Sequence, residues 1–125
     1  MPLSHQQSVL CVEDDTDSWE LFGFALSEFR LVFAETGAEA MKLASVEKFD
    51  LFLLDVCLSD GSGIELCREL KAFSPQTPVI FCSGMAREQD RRQGLDAGAN
   101  AYLVKPLNYD LMKEVIQSLL SRQVA

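Results

Sequence analysis

Acidic side chains stand at Glu13, Asp14 and Asp15 and again at Asp55, a hydroxyl and a glycine at Ser83 and Gly84, and a lysine before proline at Lys105 and Pro106. Each group follows a short apolar run, so if those runs are neighbouring strands, all of them meet at one edge of a sheet. Carboxylates gathered within a few Å repel and raise one another's pKa unless a cation sits among them. A hard, oxygen-ligated ion resolves that conflict. Mg²⁺ uses one or two carboxylates, keeps several waters and completes its shell with phosphate oxygens, so the indicated chemistry is a divalent cation beside a phosphoryl group. Taken singly, the acids are ordinary helix caps, Lys105 a solvated lysine and Ser83 a turn former. Their recurrence, in order, at the ends of four runs argues for a site.

The elements that must position these groups alternate. Apolar runs rich in β-formers cover about 9–12, 31–33, 51–54, 79–82 and 102–104. Amphipathic segments predict helices over about 17–29, 38–46, 64–73, 87–97 and 109–121. Five strand–helix repeats imply a parallel sheet with helices on both faces and right-handed crossovers. In such a doubly wound sheet the ligand site forms at the carboxyl ends of the strands, where the strand order reverses. Thr36 with Glu39, and Ser62 with Glu65, read as capping boxes. Pro75 and Pro78 bracket a loop, and Pro106 forces a turn.

Composition sets outer bounds. With 125 residues and 48% hydrophobic content, one self-sufficient domain is expected. Eleven basic against nineteen acidic residues leave a formal charge of −8, which repels phosphate backbones and anionic lipid surfaces, so direct nucleic-acid or membrane binding is not expected. Cys11, Cys57, Cys67 and Cys82 show no C-x-x-C spacing and sit in or beside apolar runs, as reduced core or near-core thiols do. Residues 1–7 have neither a basic start nor an apolar run, and no stretch approaches 18 apolar residues, so a cytoplasmic protein is expected.

The stretches Val12-Glu-Asp-Asp15, Leu54-Asp-Val-Cys-Leu-Ser-Asp-Gly61, Val79-Ile-Phe-Cys-Ser-Gly84 and Ala97-Gly-Ala-Asn-Ala-Tyr-Leu-Val-Lys-Pro106 resemble the receiver domain of two-component response regulators. The likeness runs over nearly the whole chain. It implies a flavodoxin-like (βα)5 domain with sheet order 2-1-3-4-5 over residues 8–122, flanked by an extension at 1–7 and a tail at 123–125. It further implies Asp55 as phosphoacceptor, Glu13 and Asp14 as the acidic pair, Ser83 as switch hydroxyl, Lys105 as site lysine and Tyr102 as switch aromatic. Mg²⁺ would be held by Asp14, Asp55 and the backbone carbonyl of Cys57, with Glu13 acting through water. Asp15 falls outside the acidic pair and reads as a cap. The implied donor is a phosphohistidine on a sensor histidine kinase or a histidine phosphotransfer protein. The domain would catalyse its own phosphorylation and dephosphorylation, without turnover of an external substrate, and would control a downstream partner or a linked output domain.

Ser59 departs from the family, which usually has proline there, and the missing ring is expected to loosen the loop without removing a ligand. The polar segment 87–97, with Gly94 inside it, has thin apolar anchoring and is expected to be the most exchange-labile helix. The last helix carries two apolar stripes, Leu111/Val115/Leu119 and Met112/Ile116/Leu120. The second is either a broad core face or a partner surface, since receivers signal or form phosphorylation-dependent homodimers through their fourth helix, fifth strand and fifth helix. Three other readings fit less well. A degenerate binding module would not keep the full acid, hydroxyl and lysine set. An aspartate-dependent phosphatase needs a second carboxylate where Cys57 stands, and a flavin carrier needs a phosphate loop after the first strand.

Overall fold

A computed structural model describes residues 6–121; residues 1–5 and 122–125, with most of the expected extension and the tail, lie outside the described residues. The elements are β1 (Ser8–Val12), α1 (Thr16–Ala25), β2 (Arg30–Ala34), α2 (Gly37–Val46), β3 (Leu51–Leu54), β4 (Cys57–Leu58), β5 (Gly61–Ser62), α3 (Gly63–Phe73), β6 (Val79–Ser83), α4 (Glu88–Asp96), β7 (Ala101–Val104) and α5 (Tyr109–Ser121). All pairings in the main sheet are parallel, in the order β2-β1-β3-β6-β7. Those are the five expected strands in the expected order. The strand numbers skip because β4 and β5 form a separate antiparallel hairpin that the sequence reading did not foresee.

Strand periodicity sorts the core. Val9, Cys11, Leu51, Leu53, Ile80 and Cys82 face α1 and α5, joining Phe22, Leu26, Met112, Ile116 and Leu120. Leu10, Val12, Phe52, Leu54, Val79 and Phe81 point the other way, joining Ala40, Ala44, Leu66 and Leu70 of α2 and α3. Since β1, β3 and β6 are buried on both faces, their sequences are continuous apolar runs rather than alternating ones. Each fully buried Leu, Ile or Phe contributes about 1.5–3 kcal/mol from burial. Together these contacts fix the edge on which the strands end.

Three local expectations are revised. The first helix stops at Ala25 rather than near 29, because Leu26 leaves helical geometry and the chain turns to bury Phe29 before β2. Ser62 does cap α3, but by accepting from Ile64 N, with no reciprocal bond from Glu65. On α5, Met112, Ile116 and Leu120 are buried against the sheet, which corrects their reading as partner surface. Of the other stripe, Leu119 is buried and Val115 half-buried on the same core, which leaves Leu111 as the exposed apolar residue of that helix.

Candidate functional site

β1, β3, β6 and β7 deliver their following residues to one edge. Glu13 continues β1, its amide bonded to Ala34 O of β2 at 3.0 Å, and Asp55 continues β3, its amide bonded to Val12 O at 3.1 Å. Lys105 follows β7, its amide bonded to Ser83 O at 2.8 Å, and the Lys105–Pro106 peptide is cis. From these positions Lys105 Nζ lies 2.9 Å from Glu13 Oε1 and 2.9 Å from Asp55 Oδ2. The side chains of Glu13, Asp55 and Lys105 are 4%, 12% and 30% exposed, so the pairing is shielded but reachable.

The second oxygen of each carboxylate is also held. Glu13 Oε2 accepts from Asp15 N at 3.3 Å, and Asp55 Oδ1 accepts from Cys57 N at 3.2 Å. Burial, aided by the charge of Asp55, raises the pKa of Glu13 against the opposing pull of Lys105. Burial pulls the Lys105 ammonium down, but its hydrogen bonds and charge contacts with Glu13 and Asp55 outweigh that and leave it raised. Within the site, Lys105 is therefore a firmly charged cation. The sequence reading expected a bound ion to relieve the crowded carboxylates; part of that relief comes from this ammonium.

Asp14 is exposed beside the cluster and outside the Lys105 network. Asp15 is the N-cap of α1, accepting from Asp17 N at 3.0 Å. Among the described residues no group of three His, Cys, Asp or Glu side chains is arranged as a metal set. The donor chemistry nonetheless suits Mg²⁺, which needs only one or two carboxylates and is otherwise content with carbonyl and water oxygens. Glu13, Asp14 and Asp55 are all hard oxygen donors, and Glu13, whose pKa is raised by burial and by the charge of Asp55, gains from a neighbouring cation.

Ser83 is buried, and its Oγ accepts from Met85 N at 3.1 Å rather than touching Asp55. Tyr102 is buried too, with its hydroxyl donating to Met85 O at 2.7 Å and its ring 5.9 Å from that of Phe81. Ser83 and Tyr102 thus hold the same residue, Met85, one at each end of its backbone. A Cβ added at Gly84 would meet nothing within 4 Å.

Several supporting residues escaped the sequence reading. Trp19 Nε1 donates to Glu13 O at 2.9 Å while its ring stacks on Phe33 at 5.0 Å, steadying the acidic loop. Gly63 lets α3 start directly against the loop that follows Asp55, since a Cβ there would run into Asp55 O and Val56 Cα. Gly94 leaves the slot that the Tyr102 ring fills, a Cβ there lying 2.8 Å from Tyr102 Cδ2. Cys57, expected as a core or near-core thiol, is exposed, because the hairpin carries it out of the sheet; Cys11, Cys67 and Cys82 are buried. The glycines inside or next to predicted helices were the available signal for the close approaches.

Residues 9–117 match the family model of the response regulator receiver domain. The chain is 33% identical over 116 residues to the cell cycle response regulator CtrA of Brucella ovis, an alignment that takes in 91% of this chain and 50% of that protein. It thus spans about half the length of the curated relatives it matches. A two-component response regulator from Clostridium difficile superposes with a TM-score of 0.91 at 26% identity, over 96% of this chain and 100% of that one. The receiver domain of a sensor histidine kinase from Pseudomonas aeruginosa PAO1, described with a magnesium ion coordinated in the active-site cleft, superposes at 0.85 and 26% identity, over 94% and 99%. With its motifs, sheet order and carboxylate–lysine cluster, the chain belongs to the response regulator receiver domain family.

Proposed function

We propose that this domain accepts a phosphoryl group on Asp55 from a phosphohistidine of a sensor histidine kinase or histidine phosphotransfer protein, in a Mg²⁺-dependent reaction. The observation that carries the reading is the Lys105 ammonium seated between Glu13 and Asp55 at the carboxyl edge of the sheet. The neighbour described with magnesium in its cleft adds support.

Phosphoryl transfer through a loose transition state needs alignment and charge stabilisation more than covalent help. Cys57 N–H and Lys105 fix the plane of the Asp55 carboxylate. A remaining lone pair attacks phosphorus, the new P–O bond forms as the P–N bond breaks, and that electron pair returns to the donor imidazole. Lys105 balances charge on the phosphoryl oxygens. Glu13, Asp14, Asp55 and the Cys57 carbonyl would hold Mg²⁺, which when bound neutralises those oxygens further.

An aspartyl phosphate adds about −1.5 to −2 charge at this edge. Ser83 answers it by giving up Met85 N and donating its hydroxyl to a phosphoryl oxygen. Because Tyr102 holds the other end of Met85, the ring responds, shifting an equilibrium between the inward ring of this structure and an outward one. The change reaches α4 and β7, where Val104, with Leu111 of α5, offers exposed apolar contact to a downstream partner or a second copy. Hydrolysis of the aspartyl phosphate resets the domain, so it turns over no external substrate. Four unpaired cysteines support a reducing, cytoplasmic setting, and among the described residues no helix is long and apolar enough to cross a membrane.

The test is incubation of wild type and Asp55→Asn with a small acyl phosphate, with and without Mg²⁺, read by intact mass. A Mg²⁺-dependent gain of one phosphoryl group, absent in the variant, is expected. Failure with both the small donor and a phosphohistidine protein overturns the reading in favour of a pure binding module.

A further inference from the structure

The backbone after Asp55 must be held, because the Cys57 amide orients the Asp55 carboxylate. That backbone runs through the β4–β5 hairpin, whose pairs are Cys57 with Ser62 and Leu58 with Gly61, leaving Ser59 and Asp60 at the tip. Its base is anchored by Gly63 N to Val56 O at 2.7 Å. Beyond the Leu58–Gly61 pair, Ser59 at the tip lacks the restraint of a proline ring. Instead Asp60 reaches 23 residues back in sequence: its Oδ1 accepts from Gly37 N at 2.8 Å and its Oδ2 from Ala38 N at 3.0 Å.

Those are the first two amides of α2, which have no partner within the helix. Thr36 Oγ1 serves only the third, Glu39 N, at 3.1 Å. Asp60 therefore completes the cap of α2 from another element, with a negative charge at the positive end of the helix. These two amides, Gly37 first, hold the Asp60 carboxyl below its ordinary range, in accord with a made contact. The two ends of one carboxylate-to-helix bridge are the acceptor loop and α2.

We propose that Asp60 is a positioning residue for phosphoryl acceptance: by capping α2 it sets the backbone that follows Asp55, and it couples the state of the Asp55 site to the start of α2. The inference rests on the reading of Asp55 and Mg²⁺ above and deepens it. Displacing the hairpin moves Cys57 as a unit, shifting both the amide that orients Asp55 and the carbonyl assigned to the cation. Conversely, a ligand that settles Cys57 settles Asp60, and the Gly37 and Ala38 amides feel it.

The experiment titrates Mg²⁺ alone into wild type, Asp60→Ala, Asp60→Asn and Asp55→Asn by calorimetry, and follows the Gly37 and Ala38 amides by nuclear magnetic resonance. Asp60→Ala is expected to weaken Mg²⁺ binding by about three- to tenfold, at or below the loss typical of outer-shell partners of a metal site. Asp60→Asn, which keeps one acceptor, loses less. In wild type both amides shift on Mg²⁺ addition, and in Asp60→Ala they do not. A cap that only stabilises the fold would lower the melting temperature while leaving the Mg²⁺ affinity of the folded protein and the amide response intact, and that result overturns the proposal. Wild type binding Mg²⁺ no better than Asp55→Asn overturns the site reading itself. Asp55-dependent binding that is equal in Asp60→Ala overturns only the positioning role.

Discussion

The hydroxyl of Tyr102 donates to the carbonyl oxygen of Met85 at 2.7 Å, and the ring fits only because Gly94 of α4 has no side chain. Substituting Gly94→Ala places a methyl 2.8 Å from Tyr102 Cδ2 and 3.1 Å from Phe81 Cδ2. Overpacking of this kind costs about 1–3 kcal/mol, against roughly 1 kcal/mol gained in helix propensity. The expected outcome is a net loss of about 1 kcal/mol in denaturant unfolding with a changed tyrosine near-ultraviolet signal, as the ring leaves its slot. An unchanged signal would show that the slot yields elsewhere.

Alkaline titration reports the same burial. Both tyrosines, Tyr102 and Tyr109, are raised above 10.0 in the folded protein, chiefly by burial. A folded pKa above the unfolded one means that this contribution to stability is whole below pH 10 and is lost as pH rises through the folded value. At pH 10 the native phenolate absorbance should stay well under that of the unfolded chain. Tyr102→Phe should flatten the decline in stability above that pH.

Thiol reactivity separates Cys57 from the rest. Burial pushes Cys67 up to about 11 and Cys82 up to about 12, and raises Cys11 as well, whereas Cys57 is exposed. Thiolates are the reacting species, so a disulfide reagent at neutral pH should modify one thiol quickly and the other three only on unfolding. Cys57→Ser should remove the fast phase.

Hydrogen exchange should rank the helices. α4 buries only Asp90 and Gly94, while α3 buries Gly63, Leu66, Cys67 and Leu70. With less apolar area to expose on opening, α4 amides are expected to exchange about tenfold faster or more than those of α3. Equal protection would mean that the Tyr102 contact and the Asp90 bond to Arg87 N, 3.2 Å, hold α4 more firmly than its burial suggests.

Ile116 and Leu111 of α5 make opposite predictions. Ile116 is fully buried, so Ile116→Ala should cost about 2–5 kcal/mol of stability by denaturant unfolding. Leu111 is 47% exposed, and Leu111→Ala should stay within about 0.5 kcal/mol. Loss of partner binding or self-association on phosphorylation in the Leu111 variant would locate the contact that was first expected of Met112, Ile116 and Leu120.

Much of this protein is encoded locally. Apolar runs such as Val9–Val12 and Leu51–Leu54 match strands because side chains alternate faces by covalent geometry, and doubly buried strands must be apolar throughout. With five such runs and intervening helices, the parallel sheet and its carboxyl edge follow, and so do Glu13, Asp55, Ser83 and Lys105 at that edge. Other features required the chain to be folded. That Lys105 lies between Glu13, 92 residues away, and Asp55, 50 away, depends on strand register. That Asp60 caps α2 depends on where the hairpin tip lands beside a helix. Two equally apolar stripes on α5 cannot rank themselves; the direction in which the helix meets the sheet chose Met112 and Ile116 over Leu111. Short-range periodicity determines which elements form and which ends carry chemistry, while contacts between distant residues arise only when crossovers and packing set the distances.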